Sequence, residues 1–230
     1  MNKKNFISPS KKEVILGAVY MALQMFLLPS LVIALCDTLG FYLSTGALNV
    51  IFFIINFGAA TLIFRNFLKK TLIGSRRRFS KIFFGALQGF GIYWLGNLVV
   101  GLLIYQINPD FANVNDASIS AMAEANFLPI AICTVFFVPI TEELLYRGVL
   151  FAGFFKRSPV LAFIFSTIVF SAIHVVGYIA EYSWDTLLLC FIQYIPPSIA
   201  LGFAYAKSGS ILAPMLMHIV INTIGILILR

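Results

Sequence analysis

Residues 127–155 read FLPIAICTVFFVPITEELLYRGVLFAGFF. As a helix this run is long enough to cross about 30 Å of hydrocarbon. Yet it carries Glu142, Glu143 and Arg147 near its middle. Lipid cannot satisfy free backbone groups, and the residues do not alternate as in a barrel strand, so a membrane helix is expected. Ionisable groups at that depth are costly, and they pair with one another or line a water-filled cavity.

Six further apolar runs flank it, giving seven in all: 14–36, 41–64, 82–107, 127–155, 159–179, 186–206 and 210–229. The whole chain is 60% hydrophobic and 11% charged, against about 25% charged in soluble domains. A soluble fold of this length could not bury so much apolar surface, because area shrinks too slowly with size. The expected architecture is all-α: a polytopic integral membrane protein of about seven transmembrane helices. Residues 1–230 are read as a single transmembrane domain.

The net charge of +7 could suggest nucleic acid, but the positions of the charges exclude it. Lys3, Lys4, Lys11 and Lys12 precede the first run, and Arg65, Lys69, Lys70, Arg76, Arg77, Arg78 and Lys81 fill the second connection. Lys156 and Arg157 lie in the fourth connection and Lys207 in the sixth, so fourteen of the 16 basic residues fall on one side. The odd-numbered connections carry Asp37, Asp110, Asp116, Glu124, Glu181 and Asp185, with no Lys or Arg. By the positive-inside rule the amino terminus is cytoplasmic and the carboxyl terminus extracellular. The lipid bilayer is the partner these charges address, with anionic headgroups favoured at the basic face.

Cys36, Cys133 and Cys190 are isolated, which suggests neither a disulfide framework nor a zinc ribbon. Leu35 is too large before Cys36 for a lipoprotein cleavage site, and the first run is too long for the apolar core of a cleaved signal. Gly85, Gly89, Gly96 and Gly101 are expected to let helices approach closely. Pro139, Pro196, Pro197 and Pro214 should bend spans or end short helices. Tyr182 and Trp184 are placed to anchor at the interface.

The ionisable groups that topology leaves unexplained are few. Glu143 and Arg147, four residues apart, share a helix face and can pair, while Glu142 lies about 100° round the helix without that partner. As a structural reading, Thr141-Glu142-Glu143 could merely open a helix after Pro139. Burial would then penalise Glu142, which favours a functional role as general base or acid. His174 and His218 are the only histidines in the chain. Phe170 lies four residues before His174, so its ring can fix the imidazole, and Asn222 shares a face with His218. Helix–helix hydrogen bonding would explain either pair alone. Glu, two His and Asn together can activate water and stabilise an oxyanion.

Glu142-Glu143-x-x-x-Arg147, Phe170-x-x-x-His174 and His218-x-x-x-Asn222, in that order on successive apolar helices, resemble the motifs of the CPBP family. These are the CAAX prenyl endopeptidases and bacteriocin-processing (Abi) proteins. The resemblance spans 127–225 and implies a CAAX-protease-like helical bundle with intramembrane endopeptidase activity on a membrane-associated peptide or protein. It implies that Glu142 and His174 activate water, that His218 and Asn222 steady the oxyanion, and that Glu143 orients Arg147. Zinc could be ligated by two histidines and a glutamate, although no HExxH helix is present, and a metal-free water is the preferred reading.

Two other classes remain open. Buried Glu and His also mark a proton- or ion-coupled transporter, and a non-catalytic immunity protein would need only to bind its partner. Along straight helices Glu142, His174 and His218 lie about 21, 26 and 16 Å from the basic face. That is near or beyond the midplane, whereas the resemblance implies a cytoplasmic opening.

Overall fold

The computed structural model describes residues 6–228. Lys3 and Lys4 of the first basic cluster and Leu229 of the seventh run lie outside them. Every regular element among the described residues is helical. In chain order these are α1 (Lys11–Phe26), α2 (Leu28–Thr38), α3 (Thr45–Ile63), α4 (Arg65–Ser75), α5 (Phe79–Ile107) and α6 (Val114–Ala125). They are followed by α7 (Phe127–Phe155), α8 (Pro159–Val176), α9 (Trp184–Gln193), α10 (Ile195–Ser208) and α11 (Leu212–Ile228).

Local sequence accounts for the ends. Ser10 opens α1 with a reciprocal box, its hydroxyl accepting from Glu13 N while the Glu13 carboxylate accepts from Ser10 N. Ser44, Ser158 and Ser183 cap α3, α8 and α9 in the simpler way. Gly209, at φ +69°, closes α10 in the left-handed conformation that glycine adopts without strain.

The seven apolar runs all become helical, but they do not give seven straight spans. Among the described residues five units are long and apolar enough to cross: Thr45–Ile63, Arg65–Ile107, Phe127–Phe155, Pro159–Val176 and Trp184–Ser208. The first run bends by 57° between α1 and α2, where Leu27 leaves helical geometry two residues before Pro29. Counted as one broken span it makes six. Among the described residues the last helix has 17 residues, about 25 Å of rise, which is short of the hydrocarbon thickness. Outward faces such as Leu95, Leu98 and Leu102 on α5 are exposed leucine, as a lipid-facing surface requires. This is a multi-pass membrane protein.

The basic connections meet at one end of the bundle. Phe6 packs on Phe155 and Tyr205, with ring centroids 4.6 and 4.4 Å away. Ile7 N donates to Gly209 O at 3.0 Å, and the Tyr205 hydroxyl donates to Ile7 O at 2.6 Å. The Glu13 carboxylate, already holding Ser10, also accepts from Phe67 N at 2.8 Å. Phe64, Phe67, Phe151 and Phe155 fill the space beneath with buried rings. The start of the chain, the second connection and the loops after α7 and α10 are thereby sealed together.

Glycine positions the helix on which the site rests. A Cβ at Gly85 would stand 3.0 Å from Ser208 Cβ, and one at Gly89 would stand 3.0 Å from Ala200 O. At Gly96 it would meet Pro196 at 2.7 Å. Thus α5 and α10 touch through backbone. Gly101 departs from the expectation: nothing lies within 4 Å of its Cβ position, so it packs no helix. Gly89→Leu should therefore destabilise the protein by roughly 1–3 kcal/mol through overpacking, whereas Gly101→Leu should not. Thermal unfolding of the two variants in the same detergent checks the contrast.

Candidate active site

The span α7 is not a uniform α-helix. Cys133–Phe137 and Glu143–Phe151 are wound as π-helix, a widening that often marks functional sites. In the first π-turn Val138 N bonds Cys133 O, five residues back, so the Thr134 carbonyl loses its usual partner. Pro139 has no N–H to offer. Asn222 on α11 takes that carbonyl instead, with Nδ2 donating to Thr134 O at 2.8 Å. The motif residue on one helix is thus fixed by a defect in another.

The second π-turn begins at Glu143, and both carboxylates turn inward. Glu143 and Arg147 are fully buried, with Arg147 Nη1 3.3 Å from Glu143 Oε1. Arg147 Nη2 also donates to Ser198 O and Ser198 Oγ, each at 3.3 Å, and its guanidinium lies 4.2 Å above the Phe170 ring. The expected pair is present, with an addition: Glu143 Oε1 also meets His218 Nδ1 at 2.9 Å. A carboxylate oxygen only accepts, so His218 carries hydrogen on Nδ1 and turns Nε2 towards Glu142.

His174 is held in a matching way. Its Nδ1 lies 2.7 Å from Phe170 O. A carbonyl cannot donate, so Nδ1 bears the hydrogen there too. The Phe170 ring packs at 4.7 Å on one side, and Tyr194 stacks on His174 at 4.0 Å with a 24° interplanar angle. His174 Nε2 then stands 3.9 Å from Glu142 Oε1, and His218 Nε2 stands 3.8 Å from Glu142 Oε2. The two imidazoles flank one carboxylate from opposite oxygens. Both gaps exceed direct hydrogen-bond length yet can share a water molecule.

A cavity of about 790 Å³ contains Glu142, His174, His218 and Asn222. Its floor is Tyr146, Phe170 and Leu201, and its other walls come from the halves of the helices remote from the basic connections. Glu143 and Arg147 lie behind the wall rather than in it. All six motif residues therefore belong to one cluster, four facing the cavity and two supporting it.

Tyr194, and what secures it, belong to none of the three motifs. The Tyr194 hydroxyl lies 3.2 Å from Asn113 Oδ1, 3.1 Å from Asn115 Nδ2 and 3.4 Å from Asp116 Oδ1. Asn113 also donates to Gln193 Oε1 at 2.8 Å. The start of α6 is thus fastened over the break between α9 and α10. A tyrosine directly before Ile195-Pro196-Pro197, where a helix must restart, was the available signal. The same donor set does not suit zinc. Among the described residues no three His, Cys, Asp or Glu side chains are grouped to hold a metal ion. Both Nδ1 atoms are engaged elsewhere, and the two Nε2 atoms face different oxygens of Glu142. The residues do not form a three-ligand zinc site.

Residues 124–224 match the family model described as Type II CAAX prenyl endopeptidase Rce1-like. The resemblance to the CAAX endopeptidases is borne out. The matched segment of this Rce1-like family includes all six motif residues and Tyr194, and it ends before α11 does. Asn113, Asn115 and Asp116 lie outside it. The family so described is one of endopeptidases, which supports a protease. No curated protein and no solved structure matches the chain.

Arg147→Ala would leave the Glu143 carboxylate buried without its cation, at a cost of about 3–5 kcal/mol. Arg147→Lys should recover little, because an ammonium cannot reproduce the fork that spans Glu143 and Ser198. Accumulation and thermal unfolding of the two variants in membranes check both expectations.

Proposed function

We propose that this chain hydrolyses peptide bonds of a membrane-associated peptide or protein, using water activated by Glu142 and His174. The observation that carries the reading is the pair of imidazole Nε2 atoms, 3.9 and 3.8 Å from the two oxygens of Glu142, inside a cavity large enough for an extended chain. A water in the first gap would donate its hydrogens to Glu142 Oε1 and His174 Nε2 and aim a lone pair at the substrate carbonyl. As it attacks, Glu142 takes one proton and later delivers it to the leaving amine. The oxyanion would be met by His218, donating from Nε2 when its ring is doubly protonated with Glu143 across from it, and by the remaining N–H of Asn222. Both donors are anchored before substrate arrives, so little reorganisation is required during reaction. Glu143 and Arg147 act as positioning residues.

The donor arrangement favours metal-free water activation. Activity should then survive treatment with 1,10-phenanthroline; loss of cleavage that zinc restores would reverse the assignment. CAAX-type trimming and bacteriocin self-immunity are two settings for such an activity. The distribution of Lys and Arg supports a cytoplasmic amino terminus in the cell membrane, with the cavity towards the opposite face.

Glu142→Gln or His174→Ala should lower kcat/KM by at least about a hundredfold while insertion and thermal unfolding stay near wild type. Comparing membrane peptides from cells carrying wild type and Glu142→Gln reads the outcome. Undiminished processing in the variant would remove Glu142 from the mechanism. Ion flux that depends on Glu142 without any cleavage would identify a transporter, and protection unaffected by Glu142→Gln would identify a binding partner.

A further inference from the structure

The two histidines of the site are held by different means. His218 is tied to another helix by the Glu143 carboxylate at 2.9 Å. His174 stands in the last turn of α8, which ends at Val176, where the helical ladder runs out. Its Nδ1 meets Phe170 O, and its ring packs on the Phe170 ring. Phe170 belongs to the same helix and turns with it. What reaches the imidazole from outside α8 is the Tyr194 ring, stacked at 4.0 Å.

Tyr194 is itself gripped at both ends. Its N–H donates to Cys190 O and Phe191 O at 3.3 and 3.2 Å, and its carbonyl accepts from Ser198 N at 3.2 Å. The end of α9 and the start of α10 therefore fix its backbone. Ser198 is also the residue that receives Arg147. At the far end of the ring, the hydroxyl lies 3.2 Å from Asn113 Oδ1 and 3.1 Å from Asn115 Nδ2. Asn113 Oδ1 also caps α6, accepting from Asn115 N at 2.9 Å and Asp116 N at 3.2 Å. A ring fixed at its backbone and its hydroxyl has little freedom to tilt, and it holds its neighbour accordingly.

We infer that Tyr194 is a positioning residue for His174, and that α6 is its anchor through Asn113. That role rests on the proposed hydrolysis for its meaning and deepens it, because the machinery then extends to residues before the segment that matches the family. A water shared between Glu142 Oε1 and His174 Nε2 needs both atoms in place at once. Tyr194 occupies the space into which the imidazole would otherwise swing. It acts through His174 and holds no reacting atom.

With two histidines in the chain, the ring can be watched directly. Full-length protein labelled with 15N-histidine is placed in nanodiscs for NMR, and the signal lost in His174→Asn identifies the ring. Wild type should show one His174 environment with hydrogen on Nδ1. Tyr194→Leu should add a second, with hydrogen on Nε2, because a ring that swings leaves Phe170 O. Tyr194→Phe keeps the stack without the anchor. Asn113→Ser keeps a capping oxygen but is too short for the Tyr194 hydroxyl. Each should give a smaller second population, and the double variant no more than either alone, since both remove one contact.

Turnover is followed with a quenched fluorescent prenylated CAAX peptide, the class that the family description names. Tyr194→Leu should lower kcat at least about tenfold with KM nearly unchanged. A single unaltered His174 signal in Tyr194→Leu, a raised KM at full kcat, or additive effects in the double variant would overturn the inference. A ring that responds as expected, in a protein that leaves this peptide intact and whose wild-type and Glu142→Gln cells hold the same membrane peptides, would instead sink the hydrolysis and leave the clamp standing.

Discussion

A single carboxylate with two buried partners organises the centre of this protein. Glu143 is fully buried and meets both the Arg147 guanidinium and the His218 ring. Neither charge could remain so deep alone, since an uncompensated ion in a low-dielectric interior costs several kcal/mol. The triad joins α7 to α11 and, through Ser198, to α10. It also decides the outward direction of His218 Nε2. The neighbouring carboxylate, Glu142, is left facing the cavity because its sister has taken the available cation.

Irregular winding of α7 is what lets adjacent acidic residues have such different surroundings. A π-turn frees the Thr134 carbonyl for Asn222, and a second widens the helix from Glu143 onward. Around that span, backbone contact at Gly85, Gly89 and Gly96 brings α10 against α5. Tyr194 can then stack on His174 from the start of α10. Packing and chemistry are thus linked: the small residues of α5 set the distance at which an aromatic ring steadies an imidazole.

Much of this was legible because expense in lipid leaves few interpretations. The Glu143–Arg147 spacing, the two lone histidines and the alternation of basic and acidic connections each stand out against an apolar background. What stayed hidden depends on three-dimensional register. Hydrophobic periodicity does not distinguish an α-turn from a π-turn, so the Asn222–Thr134 bond could not be anticipated. A run of apolar residues looks the same whether straight or bent, and the break at Leu27 showed only in retrospect through Pro29. Gly101 looked like its neighbours on α5 and faces open space, since sequence does not say which side of a helix has company. Asn113, Asn115 and Asp116 read as ordinary loop polarity, although they hold Tyr194.

The clasp at the basic end has a consequence for biosynthesis. Tyr205 and Ile7 are joined across 198 positions, and Phe6 lies between Phe155 and Tyr205. A ribosome delivers the first of these long before the last. Until α10 has left the translocation machinery, the opening residues have nowhere to dock, and the phenylalanines that they cover stay uncapped. The seal is consequently among the last contacts to form, and a nascent chain halted before Gly209 would present an unfinished surface to whatever surveys the membrane for incomplete proteins.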